Sequence, residues 1–262
     1  VAPDALPKPS DPELLTLDHP MGRAGFTDEG SGEAIVCVHG LPGSHRDFRY
    51  LAACLADYRV IRLDMPGFGG STDCGARCDF EGRTDFVLKF IRALNLRRPM
   101  LLGHSMGGAV VAMAAARAPE QMSAVGLLAS PGLRRHRGAP GRRAKLVAWL
   151  SRAPLTSRLM RGPVERAFMR AGFPRSLSHS ARVAALQQVS MYDAAAVAEA
   201  IAGITLPTLV AYADDDPLVE TAVSDEIGAR VPAGPRLSYS GAGHNLQKTR
   251  CREIAEAIRQ WH

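Results

Sequence analysis

The sequence predicts an α/β fold: a mostly parallel, eight-stranded sheet with helices on both faces and an inserted helical cap. Three observations carry this. Short apolar runs bounded by turn residues alternate with longer helical stretches, a pattern that builds parallel sheets covered on both sides. One such run leads through Gly103-His104-Ser105-Met106-Gly107 into an alanine-rich helix. The alternation then stops between residues 131 and 203, where Pro140, Pro154, Pro163 and Pro174 break up helical stretches.

Residues 1–12 carry four prolines and read as a loosely draped arm. Residues 14–17 and 22–27 read as edge strands, and Asp28-Glu29-Gly30-Ser31-Gly32 as a turn. Six further strands are expected at 34–38, 58–63, 100–102, 125–129, 208–212 and 236–239. Helices are expected near 45–56, 79–95, 105–117, 218–230 and 249–261. The core is therefore 1–130 with 204–262, and the cap is 131–203.

At 262 residues the chain suits one large α/β domain, and no apolar run is long enough to span a bilayer. The start, Val1-Ala2-Pro3-Asp4-Ala5, does not read as a signal peptide. Five cysteines without regular spacing argue against a disulfide framework and for a reducing compartment, so a cytoplasmic location is expected. Cys74 and Cys78 are close in sequence, but no matching His/Cys cluster accompanies them, and no metal or other cofactor is expected. Nothing indicates an oligomeric state.

Ser105 is placed for chemistry. Flanking glycines remove side chains where strand and helix backbones cross, and a serine held there projects its Oγ clear of both. Three other segments complete the constellation in the right order. The strand 34–38 ends in His39-Gly40-Leu41-Pro42-Gly43, so the Leu41 N–H can join the Met106 N–H in an oxyanion hole. His39 is assigned to packing beneath that turn rather than to catalysis. The strand 208–212 breaks into Asp214-Asp215-Asp216-Pro217; Asp216, just before a proline suited to open the next helix, is the candidate acid, and its neighbours read as turn residues. The last strand ends in Gly241-Ala242-Gly243-His244, a glycine-rich loop presenting one histidine. Serine, acid, histidine is the order that accompanies a nucleophile elbow. Leu41, Ser105, Asp216 and His244 all fall at strand C-terminal ends, where ligands bind in such sheets.

On these segments, with Asp64-Met65-Pro66-Gly67-Phe68-Gly69-Gly70-Ser71, the chain resembles the α/β-hydrolase superfamily, in its branch of single-domain esterases, C–C bond hydrolases and cofactor-free perhydrolases. Where relatives carry glycine at the end of the acid-bearing strand, this chain has Ala213. The acid is not one strand earlier, because Ser130-Pro131-Gly132 offers no carboxylate. The resemblance implies a serine hydrolase acting on a small-molecule carboxylic ester or lactone, without a cofactor. Its alternatives are C–C cleavage of a β-diketone-like ring-cleavage product and a non-hydrolytic, ligand-binding or cyclase-like member.

Trp149, Met160, Met191 and Leu218 are expected to line an apolar substrate pocket beneath the cap. Residues 131–200 carry twelve Arg and one Lys against Glu165, Asp193 and Glu199, a net +10 in a chain of +6. A solvated helix face is the preferred reading, ahead of anion steering or contact with a membrane surface. No motif supports nucleic-acid binding.

Overall fold

The chain runs through β1 (Leu15–His19), β2 (Gly22–Glu29), β3 (Ala34–Val38), β4 (Arg59–Leu63), β5 (Met100–His104), β6 (Val125–Leu128), β7 (Thr208–Ala213) and β8 (Arg236–Tyr239). These form one sheet in the order β1-β2-β4-β3-β5-β6-β7-β8. β2 pairs antiparallel with β1 and β4, and every other pairing is parallel. The computed structural model describes residues 7–72, 79–139, 141–151, 154–170 and 177–262; Cys74, Cys78, Pro140 and Pro174 lie outside them.

Alternation of side chains sorts the core onto two faces. Val36 and Val38 of β3 point to one apolar cluster, Ile35 and Cys37 to the other. The first cluster takes in α2 (Phe80–Ala93), α3 (Met106–Arg117) and α8 (Thr221–Arg230). The second takes in α1 (Arg49–Cys54) and α10 (Cys251–Trp261), which follows a short α9 (Leu246–Thr249). α3 lies deepest. Its residues from Met106 to Ala115 are all buried, and small side chains let it sit close to β5 and β6.

Between β6 and β7 come α4 (Arg142–Leu150), α5 (Pro154–Arg170), α6 (His179–Ser190) and α7 (Ala194–Ala202). α4, α5 and α6 pack on one another, whereas α7 packs on α3 and α8 in the core layer. The inserted segment thus divides before residue 194. Pro154 opens α5, and Pro163 lies inside that helix without ending it.

Three boundaries differ from expectation for identifiable reasons. β2 runs on through Asp28 and Glu29, because β4 supplies partners: Arg59 reaches Asp28 at 2.6 Å and the buried Arg62 reaches Glu29 at 2.8 Å. The expected helix at 45–56 is a 3₁₀ turn at His45–Phe48 followed by α1. Pro217 does not open α8, which starts at Thr221; the intervening backbone is held by Asp216 instead.

Candidate active site

Ser105 joins β5 to α3 with φ 52° and ψ −127°, a backbone region that costs a non-glycine residue on the order of 1–3 kcal/mol. The surroundings enforce it. Its N–H donates to Leu128 O at 2.9 Å, and its carbonyl accepts from Gly108 N–H at 2.8 Å. A Cβ on Gly103 would lie 2.6 Å from Gly107 O, and one on Gly107 only 2.2 Å from Val38 O. Both glycines are therefore demanded by backbone crossing, as the motif suggested.

Asp216 is 5% exposed and divides its carboxylate between two tasks. Oδ1 accepts from the Leu218 and Val219 N–H groups at 2.8 and 3.1 Å. Oδ2 accepts from His244 Nδ1 at 2.7 Å. Burial alone would raise this carboxyl, but those hydrogen bonds outweigh it and hold the group below its ordinary value. With Nδ1–H committed to Asp216, the neutral ring leaves Nε2 as a lone-pair acceptor. Asp214 and Asp215 are exposed, but they are more than solvated turn charge. Asp214 accepts from Ser240 Oγ and Gly241 N–H, and Asp215 from Gly243 N–H, so both tether the loop that carries His244.

His104 is a positioning residue that the sequence reading passed over. Its Nε2 donates to the His244 carbonyl at 2.9 Å, and the two rings lie 4.8 Å apart. Burial pushes its pKa down to about 3, so the ring stays neutral. Its place as the variable residue of Gly103-His104-Ser105-Met106-Gly107 was the available signal. His39 has the supporting role expected of it. Its Nε2 accepts from Met65 N–H at 2.9 Å while Nδ1 donates to Gly40 O, and burial lowers its pKa to about 4. Nearby, Asp64 is fully buried and accepts from His45 and from Gly70 N–H. Asp47, against the Gly43 backbone, is pushed up to about 7 by burial.

Leu41, Ser105 and Met106 share the wall of a cavity of about 350 Å³. Met106 is the first residue of α3, so its N–H has no partner within the helix. Leu218 and Val219 form another part of the wall. Phe168 and Ala167 come from α5, and Ala185, Leu186 and Val189 from α6. Of the four expected pocket residues, Leu218 alone is found there. Trp149 is 63% exposed, Met160 is half-buried on α5 outside the wall, and Met191 lines a neighbouring cavity with Arg135 and Lys145. The expectation put bulk on the inner face of the cap. Instead α4 turns Leu146 and Trp149 outward and Ala148 inward, and small side chains such as Ala167 and Ala185 leave room for a ligand. Among the described residues, no group of three His, Cys, Asp or Glu is placed to hold a metal ion, and no helix is long and apolar enough to cross a membrane.

A parallel sheet with an antiparallel edge, a strained serine at the end of a central strand and a histidine at the end of the last one define an alpha/beta hydrolase fold. The sequence model of that family matches residues 33–177, and the chain belongs to it. Over 103 residues it is 38% identical to the dihydrolipoyllysine-residue acetyltransferase component of the acetoin cleaving system of Pseudomonas putida, covering 39% of this chain and 28% of that protein. The chain spans less than half the length of the curated relatives it matches. Among solved structures, an alpha/beta hydrolase fold protein from Burkholderia ambifaria aligns with a TM-score of 0.77 at 20% identity, over 95% of this chain and 99% of that one. A thermophilic esterase from Thermogutta terrifontis aligns with a TM-score of 0.72 at 20% identity, over 95% and 97%.

Proposed function

We propose that the protein is a serine hydrolase that cleaves a carboxylic ester or lactone through an acyl-enzyme on Ser105. The observation that carries this is the 2.7 Å bond from His244 Nδ1 to the buried Asp216, which also holds Leu218 and Val219, two residues of the cavity wall that Ser105 lines. The acid fixes the ring's tautomer, leaving Nε2 free to accept the serine proton. Ser105 Oγ then adds to the substrate carbonyl. The oxyanion that forms is met by the Leu41 and Met106 N–H groups, and the N-terminal end of α3 adds a favourable dipole. His244 returns the proton to the departing alcohol. Water repeats the sequence on the acyl-enzyme, releasing the acid and restoring Ser105. No step calls for a cofactor. The helices α4, α5 and α6 act as a lid whose inner face sets the shape of the acyl site.

The test is a panel of 4-nitrophenyl esters of graded chain length, run with Ser105→Ala and with a fluorophosphonate probe. Hydrolysis by the parent, its loss to background in the variant, and labelling confined to Ser105 are the expected results. Full labelling of the alanine variant would remove Ser105 from the nucleophile's role. A parent inert to every ester, yet active on a β-diketone-like ring-cleavage product, would shift the reading to C–C hydrolysis by the same residues.

A further inference from the structure

The cavity wall is largely apolar; its polar side chains are Ser105, the exposed Arg137, His136 and Tyr192. His136 and Tyr192 both line it, and each is only 7% exposed. Their rings meet edge to face at 5.3 Å, and Tyr192 packs in the same way on Phe80 at 5.8 Å, so both are held in place. His136 Nδ1 lies 3.1 Å from Leu218 O. A carbonyl only accepts, so Nδ1 carries the proton and Nε2 of the neutral ring presents a lone pair. That Nε2 and the Tyr192 hydroxyl find no hydrogen-bond partner among the described residues. A buried polar atom without a partner is costly, and such atoms collect where a ligand completes them. Burial also lowers the His136 pKa and pushes Tyr192 up to about 12, which keeps both groups uncharged. His136 binds the carbonyl of Leu218, whose own N–H is held by Asp216 Oδ1, so the pair stands beside the candidate acid.

We infer that His136 and Tyr192 form a recognition site for a hydroxyl group on the substrate, making hydroxylated acyl esters the preferred class. The chemistry of the pair selects this group. A hydroxyl donates to His136 Nε2 and accepts from the Tyr192 O–H, satisfying both at once. A methyl in its place leaves both unpaired. A carboxylate only accepts, so it sets a negative oxygen against the Nε2 lone pair. The remaining wall, with Leu218, Phe168 and Leu186, takes the hydrocarbon part. This assignment deepens the serine hydrolase reading and rests on it.

The experiment compares 4-nitrophenyl hexanoate with its 3-hydroxy and 6-hydroxy derivatives. One hydroxylated ester is expected to exceed the parent ester in kcat/KM by about 10- to 100-fold, mainly through KM. Tyr192→Phe, which keeps the ring contacts with Phe80 and His136, is expected to bring that ratio close to one. Binding of the same three chains as primary amides to Ser105→Ala, followed by calorimetry, reads the pair without turnover and is expected to show the same ranking. Equal kcat/KM for all three esters with normal Ser105-dependent turnover overturns the recognition site and leaves the hydrolase reading standing. Loss of all turnover with the amide ranking intact overturns the hydrolase reading alone. Equal amide affinities, no binding of any amide, or a hydroxyl preference that survives Tyr192→Phe, rejects the pair.

Discussion

Asp216→Asn is the sharpest probe of the site, because the structure dictates how the new amide must sit. In the parent, Oδ1 is held by two backbone N–H groups, from Leu218 and Val219, and only an acceptor satisfies them. The amide oxygen of asparagine therefore takes the Oδ1 position and its NH₂ takes the Oδ2 position. That NH₂ now points at His244 Nδ1, which lies 2.7 Å away in the parent. Two donors cannot face each other, so Nδ1 gives up its proton and Nε2 acquires one. A ring protonated at Nε2 cannot accept the proton of Ser105. The expected loss is about 10⁴-fold in kcat, about 5.4 kcal/mol of transition-state stabilisation. The fold should survive, since the volume and both backbone bonds are kept. Asp214→Asn and Asp215→Asn keep an acceptor oxygen for their tethers to the His244 loop, so each is expected within about tenfold of the parent, a single 1.4 kcal/mol step. Initial rates on one ester, with circular dichroism melts as the folding control, measure all three. An Asp216→Asn enzyme within tenfold of the parent, or a crippled Asp214→Asn, would refute the assignment of the acid.

Further expectations concern the frame around the site. Gly107→Ala puts a Cβ 2.2 Å from Val38 O, a clash with backbone that cannot rotate away. A cost of about 1–3 kcal/mol, or a fall of roughly 2–4 °C in Tm per kcal/mol for a domain of this size, should appear by scanning calorimetry; an unchanged Tm would contradict the crossing geometry. Asp47 is raised to about 7 in the folded chain, so its protonated form favours folding, and that stability is lost as pH climbs from about 4 through 7. Asp47→Asn should therefore raise Tm more at pH 8 than at pH 5. Equal gains at both values would show that the carboxyl does not titrate in this range.

Much of the core was legible because two periodicities and a few short motifs are tightly coupled to backbone geometry. The strand 236–239 was placed to the residue, since Pro235 and Ser240 bound it on either side. Ser105, Asp216 and His244 were readable because each sits at a strand end marked by glycine or proline. What was hard to read depended on partners distant in sequence. Asp28 and Glu29 look like turn residues until Arg59 and Arg62 are set beside them on β4. Trp149 and Met191 look like pocket residues because hydrophobicity tells which side chains avoid water, but not which of several apolar contacts they join. His136 gave no signal at all, because what sets it apart is its ring contact with Tyr192, 56 residues further along the chain.

The clash distances around Gly103 and Gly107 separate two parts of this molecule by how freely they can vary. The elbow is wedged between backbones, with no room for a single added carbon. The wall that α5 and α6 supply mixes Ala167 and Ala185 with Phe168, Leu186 and Val189, side chains that border open cavity rather than crossing backbone. Substitutions there reshape the cavity while Ser105 stays where the sheet puts it. A lineage built on this plan can vary that wall by small steps, each starting from a chain whose elbow is intact.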